Sequence, residues 1–344
     1  MSHPSHTLII RFSALGDVAM LVPVLRVFTD TYPETKLTVV SRKRFEPLFL
    51  DLPNVDFLEA DVYGKHRGLF GLLKLAREAK ELGIDTVADM HSVIRSKTLS
   101  KNLSFRGVKI ASIDKGRSEK KNLTNAKGMG LLKLKTTHQR YAEVFKKLRM
   151  PVDLAKHRFP ERKPLNPRLL TLIGKEPKKC IGIAPFAAYE SKMYPLPLMQ
   201  EVIENLDKEE HYRILLFGGG AEEIAQLKEW ETLYSNVTNI AGSLTFEEEL
   251  NLISNIDVML SMDSANGHLA AIYGIPVITL WGVTHPYAGF TPFGQPEENQ
   301  LLANRNLYPL IPTSVYGNKY PPNYEDCMKS IAPKTVVQKL LEKL

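Results

Sequence analysis

The chain has 344 residues, long enough for two domains, and its 44% hydrophobic and 24% charged residues are the balance of a globular protein, which excludes a disordered or fibrous chain. Its two cysteines, Cys180 and Cys327, show no paired spacing, which excludes a disulfide scaffold and a cysteine-based metal site. The net charge of +7 is uneven: residues 91–150 hold sixteen Lys or Arg against Asp114, Glu119 and Glu143, so this segment carries +13 and the remainder −6.

The first residues lack the pattern of a signal peptide, because the apolar stretch from Leu8 is broken by Arg11 and Asp17. No uninterrupted apolar run reaches the roughly 18 residues of a membrane span, so a reducing, cytoplasmic compartment is expected. In chain order, residues 7–12, 36–41, 55–58, 86–89 and 108–113 read as strands, with helices clearest at 18–31 and 68–82. A basic loop is expected over 115–130 and a helix over 139–148. Residues 151–179 hold five prolines and read as a linker. The pattern then restarts, with strands over 180–185, 213–217, 237–240, 257–262 and 277–281 and helices over 197–207, 222–234 and 246–254. Alternating strands and helices imply parallel sheets with right-handed crossovers. The expected fold is therefore α/β, two Rossmann-like domains facing a cleft. The boundaries expected are 1–160 and 161–332, with a last helix over 333–344 as a candidate to pack back on the first domain.

Three turns stand out at strand ends, where open α/β sheets bind ligands. In the first, Ser13-Ala14-Leu15-Gly16-Asp17 joins a strand to an apolar helix. It has neither a GxGxxG fingerprint nor a P-loop, so nicotinamide and P-loop chemistry are unsupported. Asp17 suits a general base and equally an acid stabilised by the helix dipole. In the second, Ala184-Pro185-Phe186-Ala187-Ala188 leads to Lys192, a point charge placed for a phosphate or an ordinary surface lysine. Further on, a glycine turn at 218–220 opens a helix with Glu222 and Glu223, acids of the kind that hold ribose hydroxyls. The third turn, Asp263-Ser264-Ala265-Asn266-Gly267-His268, lies between an apolar strand and a short helix. The helix start offers free amides to an anion, and small residues let a ligand approach the backbone. A plain helix cap at Asp263 or Ser264 would look the same.

Four stretches in this order resemble glycosyltransferase family 9, the bacterial heptosyltransferases of lipopolysaccharide inner-core assembly: "RFSALGDVAMLVPVL" (11–25), "IGIAPFAAYESKMYPL" (181–196), "FGGGAEE" (217–223) and "SMDSANGHLAAIYGIPVITLWGVTHP" (261–286). The resemblance implies the GT-B glycosyltransferase architecture. It implies that Asp17 deprotonates the acceptor hydroxyl and that Lys192 contacts the donor's phosphates. Asp263, Ser264, Ala265, Gly267 and His268 correspond to the donor-binding turn, Glu222 or Glu223 to a ribose contact, and Leu244 to an apolar contact with the base. Ser13, Gly16, Ala187 and Ala188 complete the donor set. Relatives often carry hydroxyl residues where this chain has Ala187 and Ala188, a departure that bears on donor identity.

The donor so implied is ADP-heptose and the reaction an inverting displacement that needs no cofactor. No Asp-x-Asp occurs in the sequence, so activity without a metal is expected. His91, Arg95, Lys97, Lys120 and Lys121 are the candidates to meet an anionic glycolipid acceptor and the inner membrane leaflet, as a peripheral contact. Nucleic acid is not the expected polyanion: no helix-turn-helix, zinc-finger or RRM pattern occurs, and aromatics are sparse in the basic stretch. A family 9 enzyme with another sugar or acceptor, a GT-B epimerase and a non-catalytic nucleotide- or glycan-binding protein are the competing readings.

Overall fold

The computed structural model describes residues 4–174 and 178–344, so Pro177 of the expected linker lies outside the described residues. In chain order the elements are β1 (His6–Ile10), α1 (Leu15–Ala19), α2 (Leu21–Thr31), β2 (Lys36–Ser41), β3 (Val55–Glu59), α3 (Gly68–Glu81), β4 (Thr86–Asp89), α4 (Ile94–Phe105), β5 (Lys109–Ser112), α5 (Arg117–Asn125) and α6 (Thr137–Lys147). There follow α7 (Pro167–Ile173), β6 (Lys179–Ala184), α8 (Leu196–Asp207), β7 (Tyr212–Leu216), α9 (Ala221–Leu233), β8 (Val237–Asn239), α10 (Phe246–Ile253), β9 (Val258–Met262), α11 (Ala265–Ile272), β10 (Val277–Trp281), β11 (Gln300–Leu302) and α12 (Pro333–Leu341).

The chain forms two compact units, one running to Gly116 and resuming at Lys135–Arg158, the other Arg117–Leu134 with Phe159–Leu344. The first unit is built on a five-stranded parallel sheet in the order β3-β2-β1-β4-β5. Its central strand β1 is buried at every residue, as a strand covered on both faces must be. Leu8, Ile10, Val40, Val87, Leu99 and Leu103 join in the core. The helix expected over 18–31 is divided at Met20 into α1 and α2.

The second unit carries a six-stranded parallel sheet in the order β11-β10-β9-β6-β7-β8, with Tyr194, Trp230, Leu260 and Leu280 in its core. α7 starts inside the stretch read as a linker, where Asn166 caps it by accepting from the Leu169 amide at 2.9 Å and Pro167 takes the first helical position. α10 has a reciprocal cap, Thr245 accepting from the Glu248 amide at 3.2 Å and Glu248 from the Thr245 amide at 2.9 Å.

Two expected placements are corrected. Arg117–Leu134, expected in the first domain, belongs to the second unit, and its loop contains the helix α5. α12, a candidate to return to the first domain, packs on α8 in the second unit, where Val336 and Leu340 are fully buried.

Each sheet has one point where neighbouring strands send their crossovers in opposite directions. That point is β1/β4 in the first sheet and β6/β9 in the second, the places where open α/β sheets leave a crevice at their carboxyl ends.

Candidate functional site

In the first unit the turns after β1 and β4 hold a cluster around Arg11. Arg11 immediately follows β1, and the residue is 5% exposed. One nitrogen, Nη1, donates to the Met90 carbonyl at 2.8 Å, and Nη2 meets Asp17 Oδ2 at 2.5 Å. Burial opposes that charge, but Tyr141, Asp17 and Asp89 more than offset it and hold the guanidinium above its ordinary range. The Tyr141 hydroxyl, on α6, donates to the Asp17 carbonyl at 3.0 Å, and its ring centroid lies 6.0 Å from the guanidinium carbon. Asp17 is thus fixed through both its side chain and its backbone, while its side chain stays 29% exposed. Neither Arg11 nor Tyr141 was expected at the site. The signal for Arg11 was present, since an arginine directly after the apolar run Leu8-Ile9-Ile10 must find a buried partner.

Across the switch point, Asp89 closes β4 and is fully buried, accepting from the amides of His91 at 2.9 Å and Ser92 at 2.8 Å and from the Ser96 hydroxyl at 3.1 Å. It shapes the turn that starts α4. His91, expected among the acceptor-binding residues, is 8% exposed and accepts from the Phe12 amide through Nδ1 at 3.4 Å. Burial first, and then the Arg11 charge, push its pKa down to about 3. It is a neutral wall of the turn, not a cation.

A pH effect follows. The stability that neutral His91 contributes is complete above its ordinary pKa of 6.5 and is lost as pH falls toward about 3. His157 and His285, both lowered to about 4 chiefly by burial, act in the same direction. The melting temperature is expected to fall between about pH 7 and about pH 5, and His91→Asn to make that fall shallower. An unchanged profile in the variant would remove His91 from the titration.

Of the other expected acceptor residues, Arg95 and Lys97 are exposed on the first turn of α4 and Lys121 is exposed on α5. Lys120 is corrected: it is 6% exposed, with Nζ 4.0 Å from the Phe290 ring centroid. It holds α5 to the segment around Phe290 within the second unit by a cation–π contact and is no free surface charge.

In the second unit the switch point lies between the turns after β6 and β9. The chain leaves β6 through Pro185 to Ala188, with Ala187 half-buried and Ala188 exposed, and makes one helical turn at Glu190–Lys192. Lys192 Nζ lies 2.9 Å from Asp263 Oδ2, which closes β9. Thr284, just beyond β10, donates its hydroxyl to the same Oδ2 at 3.0 Å. The Lys192 and Asp263 side chains are 12% and 8% exposed, so the pair is nearly shielded from water. The Ser191 hydroxyl donates to the Gly317 carbonyl, and a Cβ on Gly317 would lie 2.5 Å from Lys192 Cδ. The segment around Gly317 thus lies along the lysine stem.

Beside this pair α11 begins. Ser264 precedes its first residue, with Oγ 3.2 Å from Ser261 Oγ, and Ser261 accepts from the Gly267 amide at 3.1 Å. Ser261 therefore holds the helix start to the end of β9. A Cβ on Gly267 would meet Ser261 Oγ at 3.2 Å and Val277 Cγ1 at 3.3 Å, which explains a glycine where helix and sheet approach closely. Ala265 adds no bulk at the helix start, and His268 is 7% exposed. The structure thus brings Lys192, Asp263, Ser264, Ala265 and Gly267 to one place: a lysine beside a helix start whose first amides have no intrahelical partners, an arrangement that receives phosphate.

Among the acids of α9, Glu223 accepts from the Gly219 amide at 2.8 Å and so braces the glycine turn, whereas Glu222 is exposed. Leu244 is half-buried just before α10. Ser13 and Gly16 lie in the Asp17 turn of the first unit. Thr284, Ser191, Ser261 and Gly317 were missed. Only Thr284 had a visible signal, a hydroxyl at the carboxyl end of the strand next to β9. Among the described residues no group of three or more His, Cys, Asp or Glu is placed to hold a metal ion, and no helix is long and apolar enough to cross a membrane.

Two α/β units with parallel sheets, each with its polar cluster at a switch point, define the GT-B glycosyltransferase architecture. The family model for glycosyltransferase family 9 (heptosyltransferase) matches residues 72–318, most of the chain, and the chain belongs to that family. The chain is 25% identical over 296 residues to the lipopolysaccharide core heptosyltransferase OpsX of Haemophilus influenzae, covering 82% of this chain and 80% of that one. Among solved structures, the family 9 glycosyl transferase of Veillonella parvula superposes with a TM-score of 0.75 at 18% identity, over 98% of both chains. The heptosyltransferase WaaC of E. coli with ADP does so with a TM-score of 0.65 at 18% identity, over 98% of this chain and 100% of that one.

Proposed function

We propose that this glycosyltransferase moves a heptose from ADP-heptose to an anionic saccharide of a lipopolysaccharide inner core, with inversion at the anomeric carbon. The observation that carries the reading is the Lys192–Asp263 pair at the start of α11, within a chain of family 9. The name of the Haemophilus relative supports the lipopolysaccharide acceptor, and the ADP of the WaaC structure supports the nucleotide.

In the reaction proposed, the acceptor oxygen attacks the anomeric carbon and gives its proton to Asp17. The bond from the anomeric carbon to the phosphate oxygen breaks on the opposite face, and ADP leaves. Negative charge growing on the β-phosphate is met by Lys192 and the amides at the start of α11, groups already in position before the reaction. Glu222 is the acid free to meet the ribose, since Glu223 is engaged by Gly219. Activity without a metal, a cytoplasmic location and a peripheral contact with the inner membrane leaflet belong to the same reading. A second reading, a family 9 transferase with another nucleotide sugar or a different glycan acceptor, draws on Ala187 and Ala188, which offer no hydroxyl to the donor.

Thermal unfolding with ADP, UDP, GDP or CDP, each with and without EDTA, tests this. A ligand at about 100 times its Kd adds roughly 2.7 kcal/mol, a shift of a few degrees for a chain of this size. Selective stabilisation by ADP that survives EDTA is expected. Preference for another nucleotide would keep the transferase and change its donor, and loss of the shift in EDTA would overturn the metal-free reading.

A further inference from the structure

Single exposed apolar residues need no explanation, but one rim of the first unit gathers four. Tyr63 is 63% exposed, Leu69 60%, and Phe70 and Ile94 85% each. Tyr63 lies in the connection from β3 to α3, Leu69 and Phe70 in the first turn of α3, and Ile94 opens α4 after β4. β3 and β4 run parallel in one sheet, so α3 and α4 start from the same end, and they pack side by side. Tyr63 joins the pieces. Its hydroxyl accepts from Arg42 Nη2 at 2.8 Å, and its ring centroid lies 4.9 Å from the Arg42 guanidinium and 5.5 Å from that of Arg95, the neighbour of Ile94.

The exposed charged side chains around these residues are cationic. Arg44, Arg67, Arg95 and Lys97 are exposed there. The acids nearby are engaged within the unit: Asp61 by the amides of Gly64 and Lys65 at 2.8 and 2.9 Å, Glu46 by Lys43 at 2.6 Å, and Glu78 by His66 at 3.1 Å. Glu59, at the end of β3, is half-buried.

A phenyl and a sec-butyl group held out among arginines suit the boundary between lipid headgroups and acyl chains. Apolar tips enter it, a tyrosine ring sits at the polar level, and guanidinium groups pair with phosphates. We infer that this rim seats the chain on an anionic phospholipid bilayer. The inference rests on the reading above that the acceptor is lipid-linked. Asp17 leaves β1 at the same end of the same sheet, so a chain seated this way holds its carboxylate at the membrane surface, where such an acceptor lies.

The test is co-sedimentation of the full-length protein with vesicles of phosphatidylcholine alone or of phosphatidylcholine and phosphatidylglycerol in equal parts. The wild type is expected to bind the anionic vesicles, less so as salt rises, and to ignore the neutral ones. Phe70→Ser with Ile94→Ser is expected to weaken that binding about tenfold or more, from the apolar surface lost. Phe105→Ser is the control, an apolar residue 80% exposed at the far end of α4, and is expected to bind as wild type. All variants should keep the wild-type melting temperature and its ADP-induced shift, so a failed donor reading would show separately. Equal sedimentation of the double variant and wild type would overturn the inference, as would equal binding of neutral and anionic vesicles. So would a double variant that binds vesicles normally but needs more of a lipid-free acceptor saccharide, which would make the rim a glycan surface.

Discussion

Asp17→Asn is expected to lower kcat by about 10²–10⁴-fold, the range a positioned general base supplies, while nucleotide binding stays as in the wild type. The carboxylate is held by Arg11 at 2.5 Å and its backbone by Tyr141 at 3.0 Å, so the asparagine side chain has a ready place in the same turn. Asparagine keeps the shape and removes the base. The change also deprives the buried Arg11 of its anion. Because the Asp17 side chain is 29% exposed and Arg11 keeps its bond to Met90, the cost should be on the order of 1–3 kcal/mol, below the roughly 3–5 kcal/mol of breaking a fully buried pair. Single-turnover rates, melting temperatures and ADP-induced shifts separate the two effects. Near-normal turnover would place the base elsewhere. Loss of turnover only in proportion to the unfolded fraction would make Asp17 a partner of Arg11 and nothing more.

What the sequence revealed and what it hid divide along physical lines. β2, β4 and β10 span the residues expected, because strands covered on both faces of a parallel sheet read as short, mostly apolar runs. α4 gave a weaker sign than the helices near 18–31 and 68–82, and its buried side explains why: Ser96, Leu99, Ser100 and Leu103 form the inner stripe, and two of these four are serines. An amphipathic pattern cannot be read when small polar residues do the packing. α5 was read as a loop because Leu123 is its sole apolar residue buried, and the other buried side chain, Lys120, is hidden by its contact with Phe290. That contact joins residues far apart in the sequence. The same limit governs the sites. Asp17, Lys192 and Asp263 were legible because each lies in the connection that leaves the carboxyl end of a strand, where a charged residue contrasts with its surroundings. Tyr141 and Gly317 act through partners distant in sequence, Asp17 and Ser191, and a single chain gives no sign of such pairs. His91 shows the converse: its place after a strand in the basic segment put it among the acceptor residues, and burial, with Arg11 beside it, keeps it neutral.

The last prediction concerns Lys192→Met, which should weaken ADP binding by about 10- to 100-fold, since a hydrogen bond to a charged group is worth roughly 1.5–3 kcal/mol. The same change leaves Asp263 as a carboxylate 8% exposed, with Thr284 still donating at 3.0 Å. Removing one partner of such a pair costs up to about 3–5 kcal/mol, so lost folding could imitate lost binding. The double variant Lys192→Met with Asp263→Asn resolves this, because it removes the stranded charge along with the cation. It should recover much of the melting temperature that the single variant loses, a coupling that a double-mutant cycle measures directly. Its ADP-induced shift should remain small, because neither methionine nor asparagine brings positive charge to a phosphate at the start of α11. Recovery of both stability and ADP binding in the double variant would reduce Lys192 to a counter-ion of Asp263 and leave the helix start to hold the diphosphate by itself.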